Sequence, residues 1–325
     1  MPNRPAFLRV RSAAVAAVMA LSMPAAMAWT NKPVRMLVPA PAGGTMDVIA
    51  RLLADQLTAD LGQPVVVDNK PGAGGGIAIS ALLSAPADGQ TIMVTATNVL
   101  TEVPHVLKTP YNTMKDIRPL AAVARSRLLL VGSPSLPAKD LKSLISYVHA
   151  NPGKLSFASY SAGTASHYAG AIMNQKAGLD LQHIPFAGSG PALAQVMGGQ
   201  IPLMYDGMVT SLPMIKAGKL QAYAVASKSR SPLLPQVPTF AELGYPDVEF
   251  SNWVGVIASA RVPVELAQKI QAATYKAAAT PKVQERMQAL SYEPMAAQTL
   301  PQLSQSLNEE FQRNAGIVKA FDIQP

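Results

Sequence analysis

"VPAPAGGTMDVIARLLADQL", residues 38–57, has the order of an apolar strand end, a glycine turn and an amphipathic helix. Apolar residues recur in its helical part at the three- and four-residue spacing of one helix face, and Gly62 follows as a stop signal. The segment "PVVVDN" (64–69) is a predicted buried strand, residues 77–83 a short helix and "QTIMVTATN" (90–98) a further strand. This alternation indicates parallel strands with helices on both faces of the sheet.

The same alternation resumes in the second half of the chain. Predicted helices cover residues 141–149, 164–176 and 191–197, and predicted strands cover residues 155–159, 181–186, 201–206, 220–227 and 252–259. Beyond Pro263 the pattern is helical, and it ends in a helix over residues 302–319. The sequence therefore predicts an α/β fold with two lobes, each a mainly parallel sheet flanked by helices, and a helical C-terminal segment.

Two extended segments, near residues 121–131 and 247–257, are where we expect the chain to cross between the lobes. Lobe 1 then comprises residues 29–124 together with 255–325, and lobe 2 comprises residues 125–254. Ligands of such sheets bind at the carboxyl ends of the strands, so the cleft between the lobes is the expected site.

The first 28 residues have the pattern of an export signal. Three arginines precede an apolar run over residues 12–21, and Ala26-Met27-Ala28 is a small-x-small cleavage pattern. The apolar run is too short to span a membrane. We expect cleavage near Ala28/Trp29 and a product free in the periplasm.

Composition and motifs exclude several classes of function. The chain has no cysteine, which excludes disulfides, thiolate chemistry and a lipidated N-terminal cysteine. The net charge of +8 falls to +5 without the three leader arginines, and basic residues form no long run, so we expect no nucleic-acid partner. "GAGGGI" (72–77) has Ile77 where a dinucleotide site needs its third glycine, and the four histidines are dispersed. We therefore expect no catalytic residue, metal or cofactor.

Three predicted strand-to-helix turns share one design. Small residues in each turn let backbone N–H groups point outward at the positive end of a helix, and hydroxyls nearby add donors. The turns are Gly43-Gly44-Thr45, Ser161-Ala162-Gly163-Thr164 and Gly188-Ser189-Gly190, the last with Pro191 at the predicted first helical position. Such a turn binds a carboxylate or phosphate without Lys or Arg. Each alone is also ordinary helix capping, so the prediction of an anion site depends on the three together.

Three polar residues near these turns have alternative roles. Asp47 stands four residues before Arg51, a spacing that favours an ion pair within the helix over contact with a ligand. Asp206, at the end of a predicted strand, is placed either to accept a hydrogen bond from a ligand amine or to hold a loop. His167 lies beside the hydroxyls of the second turn, where capping or packing is favoured over catalysis.

The order of several motifs resembles one family of proteins. The export signal is followed by "RMLVPAPAGGTMDVIARLLADQL" (35–57), "GQPVVVDNKPGAGGGIA" (62–78), "NPGKLSFASYSAGTASHYAG" (151–170) and "IPFAGSGPALAQVMGGQIPLMYD" (184–206). In this order they are similar to the substrate-binding proteins of tripartite tricarboxylate transporters, often called Bug proteins. The resemblance covers essentially the whole mature chain.

This resemblance implies a periplasmic binding protein fold that closes at a hinge around a small carboxylate. In the family, one loop from each lobe holds the proximal carboxylate through backbone amides, hydroxyls and bridging waters. Carried over to this chain, the positions are Ala42, Gly43, Gly44, Thr45 and Asp47 in lobe 1, and Gly188, Ser189, Gly190 and Ala192 in lobe 2. The distal part of the ligand faces Ser161, Gly163, Thr164 and His167, together with Asp206.

Two positions depart from the family pattern. Many members have Lys or Arg where this chain has Ala187, and Gly where it has Ser161. The missing cation at position 187 argues against a highly charged ligand such as citrate. Monocarboxylates, dicarboxylates and aromatic acids remain open as ligands.

The resemblance also implies the partners: a small organic acid, and the membrane subunits of a tripartite tricarboxylate transporter. The alternative is a ligand-sensing partner of a membrane signalling protein, which gene neighbourhood would distinguish. A periplasmic enzyme is disfavoured because the motifs of a nucleophile, metal or cofactor site are missing. The expected oligomeric state is a monomer.

Overall fold

The computed structural model describes residues 29–250 and 252–324. The predicted export signal, residues 1–28, lies outside the described residues. The structure contains strands β1–β11 and helices α1–α12. The strands are β1 (Val34–Val38), β2 (Val65–Asn69), β3 (Thr91–Ala96), β4 (Ile117–Arg125), β5 (Leu128–Gly132), β6 (Leu155–Ser159), β7 (Leu181–Pro185), β8 (Leu203–Gly207), β9 (Gln221–Val225), β10 (Trp253–Ser259) and β11 (Glu293–Pro294).

Helices follow most strands and cover the sheets. They are α1 (Thr45–Leu61), α2 (Gly76–Ser84), α3 (Asn98–Thr101), α4 (Val103–Val106), α5 (Thr113–Asp116), α6 (Leu141–His149), α7 (Ala165–Ala177), α8 (Ser189–Met197), α9 (Met208–Lys216), α10 (Val264–Ala278), α11 (Pro281–Ala289) and α12 (Leu300–Ala320). A 3₁₀ turn, Ala73–Gly75, precedes α2. No helix among the described residues is both long and apolar enough to cross a membrane.

The strands form two sheets. The six-stranded sheet has the order β11-β4-β10-β3-β1-β2, and the five-stranded sheet has the order β7-β6-β8-β5-β9. The predicted α/β class with two sheets flanked by helices is confirmed. Both sheets are mixed: β1 pairs in parallel with β2 and β3, and β6 with β7 and β8, whereas β4, β5 and β10 pair antiparallel with their neighbours. The parallel strands are the ones separated by helices, which parallel pairing requires.

Each sheet is buried on both faces, as its sequence pattern requires. Met36 and Val38 of β1 pack into one apolar cluster, and Leu37 between them packs into the cluster on the opposite face. In the five-stranded sheet, Leu128 and Leu130 of β5 face one cluster and Leu129 faces the other. This alternation follows from the two-residue period of a strand, and it explains why the strands are apolar at nearly every position.

β4 and β10 pack against each other more closely than a regular ladder allows. A Cβ on Gly255 would lie 1.9 Å from the carbonyl oxygen of Ala121, so only glycine fits. Pro119 of β4 sits opposite Ile257, beside a register shift between Val256 and Ile257. Proline is tolerated within a sheet at such irregularities because it donates no ladder hydrogen bond.

Three segments connect the two sheets. β4 passes directly into β5, and the returning chain enters β10, where the Ser126 N–H donates to the Asn252 carbonyl at 2.9 Å. β10 begins at Trp253, so the predicted boundary at 254/255 falls inside a strand of the six-stranded sheet. The third segment is α12, which starts against the core of the six-stranded sheet at Leu303 and ends on the core of the five-stranded sheet near Phe321.

Candidate ligand-binding site

The turns that contain the predicted site residues follow strands of both sheets, and one of these turns touches a helix that belongs with the other sheet. β1 ends at the 41–45 turn, and β6, β7 and β8 end at the turns that begin α7, α8 and α9. Val106 of α4 touches the α7 turn, where a Cβ on Gly163 would lie 3.1 Å from Val106 Cβ. The predicted site residues therefore follow strands in both sheets, and the α7 turn lies where the two sheets' helices meet.

The turn before α1 is an open helix N-terminus. Gly43 has a φ of 79°, a value that favours glycine, and the Gly44 N–H donates to the Pro41 carbonyl at 3.2 Å. A Cβ on Gly43 would meet no atom within 4 Å. Ala42 and Gly43 are exposed. The first N–H groups of α1 have no carbonyl partner within the helix and are available to an anion.

The Asp47 carboxylate holds this turn in place through hydrogen bonds. Its Oδ2 accepts from the Gly43 N–H at 2.8 Å and from Arg51 Nε at 2.9 Å, and its Oδ1 accepts from Asn69 Nδ2 at 3.0 Å. Burial alone would raise the pKa of this carboxyl, but these hydrogen bonds outweigh it, and the pKa lies below its ordinary value. Both oxygens are engaged, as the ion-pair interpretation of Asp47 and Arg51 predicts.

The turn before α8 begins the helix two residues earlier than predicted. α8 starts at Ser189, so Pro191 is its third residue and not its first. Gly188 has a φ of 112°, and its N–H donates to the Tyr160 carbonyl at 2.8 Å. A Cβ on Gly188 or Gly190 would meet no atom within 4 Å, whereas Ala192 is fully buried beneath the turn. The N–H groups of Ser189 and Gly190 lie at the start of the helix, where no helical carbonyl can accept from them, so they are open donors.

Asp206, at the end of β8, holds the starts of two helices. It is fully buried and accepts hydrogen bonds from Ser189 Oγ of α8, from Thr210 Oγ1 of α9 at 2.6 Å and from Ser211 Oγ at 2.7 Å. Burial raises the pKa of this carboxyl, while the three hydroxyls act in the opposite direction. Of the two roles left open by the sequence, the contacts match the one in which Asp206 holds a loop.

The turn before α7 is closed by contacts within the protein. The Gly163 N–H donates to His167 Nδ1 at 3.3 Å, and Thr164 Oγ1 donates to the Ser161 carbonyl at 2.7 Å. His167 stacks on His183 with ring centroids 3.8 Å apart. Burial lowers the pKa of His167 to about 3 and that of His183 to about 4, so both rings are neutral at neutral pH. The packing role predicted for His167 is what these contacts describe.

Glu102 is a buried carboxyl at this boundary that the sequence analysis did not identify. It lies between α3 and α4, is 1% exposed, and accepts a hydrogen bond from the Ala165 N–H, the first residue of α7. Its carbonyl accepts from the Tyr168 hydroxyl at 2.8 Å. Burial, and then the nearby carboxyl of Glu310, raise the pKa of Glu102 to about 8. An isolated acid in the apolar run 98–107 is the signal in the sequence that marks it.

Two cavities in the described part of the chain lie away from the turns that begin α1, α7 and α8. One of about 650 Å³ is bordered by α6, β9 and residues 236–238, and one of about 310 Å³ lies beside Arg125 and Glu293. Neither is lined by a predicted site residue. In the described part of the chain, no three His, Asp or Glu side chains are grouped so that they could hold a metal ion.

The chain is similar to known proteins over most of its length. The sequence profile described as "Tripartite tricarboxylate transporter family receptor" matches residues 49–323. Protein BugT of Bordetella pertussis is 34% identical over 296 residues, which is 90% of this chain and 90% of BugT.

Solved structures resemble the whole described fold. MatC from Rhodopseudomonas palustris, solved with bound malate, is 31% identical with a TM-score of 0.82, over 89% of this chain and 99% of MatC. Another R. palustris protein, solved with adipate, is 29% identical with a TM-score of 0.85, over 91% of this chain and 99% of that one.

Proposed function

Because the chain belongs to the tripartite tricarboxylate transporter receptor family, whose members are binding proteins and not enzymes, we propose that it captures a small carboxylate between two lobes. Lobe 1 is the six-stranded sheet with its helices and lobe 2 is the five-stranded sheet with its helices. The first crossing, predicted after residue 124, moves to 125/126, because Arg125 is the last residue of β4. The second moves to 252/253, because β10 belongs to lobe 1.

One observation carries the proposal: α1 and α8 present open N-termini from different lobes. Their first N–H groups lack helical partners, and Gly43, Gly188 and Gly190 leave empty space beside them. A carboxylate bound between them would gain the favourable end of two helix dipoles, each contributing about 0.3–1 kcal/mol and more where partly buried. The predicted positions Ala42 to Thr45 and Gly188 to Gly190 would line this anion position.

The relatives support a carboxylate as the ligand. Malate and adipate, bound to the two similar R. palustris proteins, are both carboxylates. Neither α1 nor α8 places a Lys or Arg side chain among the predicted contacts, so binding would rest on backbone N–H groups. Three predicted residues would then support the two turns without touching the ligand: Asp47, Asp206 and Ala192.

The proposed cycle is capture, closure and delivery. The ligand would bind one lobe by its carboxylate, and contacts with the second lobe would favour a closed form. The closed protein would dock on the membrane subunits of a tripartite tricarboxylate transporter, in the periplasm, after removal of residues 1–28. The bound acid would be released unchanged.

A thermal-shift screen tests the proposal. The purified protein is heated with mono-, di-, tri- and aromatic carboxylates, and each hit is compared with its amide. A ligand at ~100 times its Kd stabilises the native state by about 2.7 kcal/mol. At roughly 2–4 °C per kcal/mol this shift is easily measured. Stabilisation by an acid and not by its amide supports carboxylate capture, and no stabilisation by any acid would reject it.

A further inference from the structure

The three helix N-termini that the sequence marks as anion positions are not equivalent in the structure. The α7 terminus already holds a carboxyl group. Its Ala165 N–H donates to Glu102, and the preceding Gly163 N–H donates to His167 Nδ1. An added anion would have to displace Glu102 from the Ala165 N–H, whereas among the described contacts no carboxyl from another element binds the first N–H groups of α1 or α8.

The group that fills the α7 terminus comes from the opposite lobe. Glu102 belongs to lobe 1 and Ala165 to lobe 2, and the Tyr168 hydroxyl binds the Glu102 carbonyl as a second bridge. No Lys or Arg of the described residues forms an ion pair with Glu102, and its second carboxyl oxygen is buried without a hydrogen-bond partner. Glu102 therefore occupies the Ala165 N–H group that an anion at the α7 terminus would need.

We propose that Glu102 is a specificity-determining residue: its carboxyl group fills the anion position at the α7 N-terminus and limits the ligand to one carboxylate with an uncharged tail. The inference rests on the proposed function, because the single carboxylate is the one bound between α1 and α8. A filled α7 N-terminus would distinguish this chain from a receptor that binds both carboxylates of a dicarboxylate at helix N-termini.

The side chains expected around the ligand's tail, the part beyond its bound carboxylate, also favour a ligand with a single carboxylate. Glu102 and Asp206 are both buried, and their charges add to burial in raising the pKa of the Tyr160 hydroxyl, for which burial is the largest cause. The one arginine beside the predicted residues, Arg51, is held by Asp47. A carboxylate at the end of the tail would find no free cation among the described contacts. A neutral tail would meet the neutral His167 ring and small side chains such as Ala162.

Calorimetric titration at pH 7 with matched ligand pairs tests the inference. Each pair is a straight-chain diacid, from succinate to suberate, and its monoamide, which keeps the length and removes one charge. The wild type should bind the better monoamides at least about tenfold more tightly than their diacids, a difference of about 1.4 kcal/mol. In Glu102→Ala, which frees the Ala165 N–H, the ratio should shift by at least about tenfold toward the diacid.

Two further variants separate specificity from folding. Glu102→Gln keeps an acceptor on the Ala165 N–H and should retain the wild-type preference. Tyr168→Phe removes the other bridge to Glu102 but leaves the α7 terminus filled, so its preference should also remain. A wild type that prefers diacids, or a Glu102→Ala preference equal to that of Tyr168→Phe, would overturn the inference. Failure of every acid and monoamide to bind is a different result, which rejects the proposed function itself.

Discussion

Gly190 is the residue whose presence the rest of the protein does not explain. It is the second residue of α8, it is exposed, and it is absent from the glycines with positive φ. A Cβ there would meet no atom within 4 Å, so neither backbone strain nor packing requires glycine. Helices favour alanine over glycine by about 0.5–1 kcal/mol. Under the proposed function, close approach of a ligand carboxylate would account for glycine at this position.

We therefore expect Gly190→Ala to separate stability from binding. The added methyl group should leave the free energy of unfolding unchanged or raise it by up to about 1 kcal/mol. It should weaken the best carboxylate by at least about tenfold, because the ligand must back away from the N–H groups. Urea unfolding and calorimetric titration measure the two effects.

Gly316→Ala is the matched control for this substitution. Gly316 lies in α12, is exposed and also has no atom within 4 Å of a built Cβ, but it is remote from the candidate site. The control should stabilise the protein without changing affinity. Equal affinity for both variants and the wild type would show that Gly190 does not face the ligand.

Regular elements with strong periodicity were predictable to the residue. α6 and β6 have the predicted bounds, and α1 ends at Gly62 in the left-handed conformation expected of a stop signal. α9 was missed because Pro213 lies inside it and signals a break. Its first turn is instead fixed from outside, by the bonds of Thr210 and Ser211 to Asp206.

The strand β4 was missed for a similar reason. Its segment "IRPLAAVAR" contains Pro119 and alanines, which are depleted in strands, so the sequence predicts only an extended crossing there. Burial between β10 and β11 outweighs this weak propensity. In the candidate site, the small-residue turns were visible in the sequence because they are local. Glu102 was not, because its partner Ala165 lies 63 residues away and only the fold brings them together.

Asp206 joins α8 and α9 to β8, and its hydroxyl partners allow a test of that role. Ser189→Ala and Ser211→Ala each remove one hydrogen bond to the same buried carboxylate. Each should lower the free energy of unfolding by about 1–3 kcal/mol, since the carboxylate loses a buried partner. Only Ser189→Ala should also weaken ligand binding, because Ser189 begins the helix that lines the anion position.

Ser211→Ala is the matched control, because it also removes one serine hydroxyl that donates to Asp206. Urea unfolding and titration with the best carboxylate are measured on both variants. If the two lose affinity equally, α8 is not positioned through Ser189 in particular. If neither loses stability, Asp206 is satisfied by other donors.

At the scale of the whole molecule, the two lobes are joined by contacts of different chemistry. Arg127, at the start of β5, forms an ion pair with Glu293 of β11 and also donates to Ser227 Oγ at 3.1 Å. α12 packs on both cores through its two ends. Glu102 is the third contact, and of these it is the one whose pKa falls in the physiological range. Titration of Glu102 should therefore be visible in the stability of the whole protein.

The sign of this dependence follows from the direction of each shift. The raised pKa of Glu102 means that the folded state binds a proton more tightly, so its stabilising effect is complete below about pH 4.5 and is lost as pH rises to about 8. His167 and His183 have lowered pKa values and act oppositely: their contribution is complete above pH 6.5 and is lost as pH falls. The two effects oppose each other between pH 4.5 and 6.5, so the window from pH 6.5 to 8 isolates the acid.

Urea unfolding of the wild type across that window should show the free energy of unfolding falling by about 2 kcal/mol, close to one proton's slope of about 1.4 kcal/mol per pH unit. Burial also raises the pKa of Glu310, so its ionisation adds to the fall in the free energy of unfolding. The charge of Arg313 lowers the pKa of both acids and so acts against this fall. Glu102→Gln cannot ionise and keeps an acceptor for Ala165, so its curve should be flatter and should lie above the wild type at pH 8. A variant curve parallel to the wild type would mean that Glu102 remains ionised in the folded protein, solvated by water that enters the interface between the lobes.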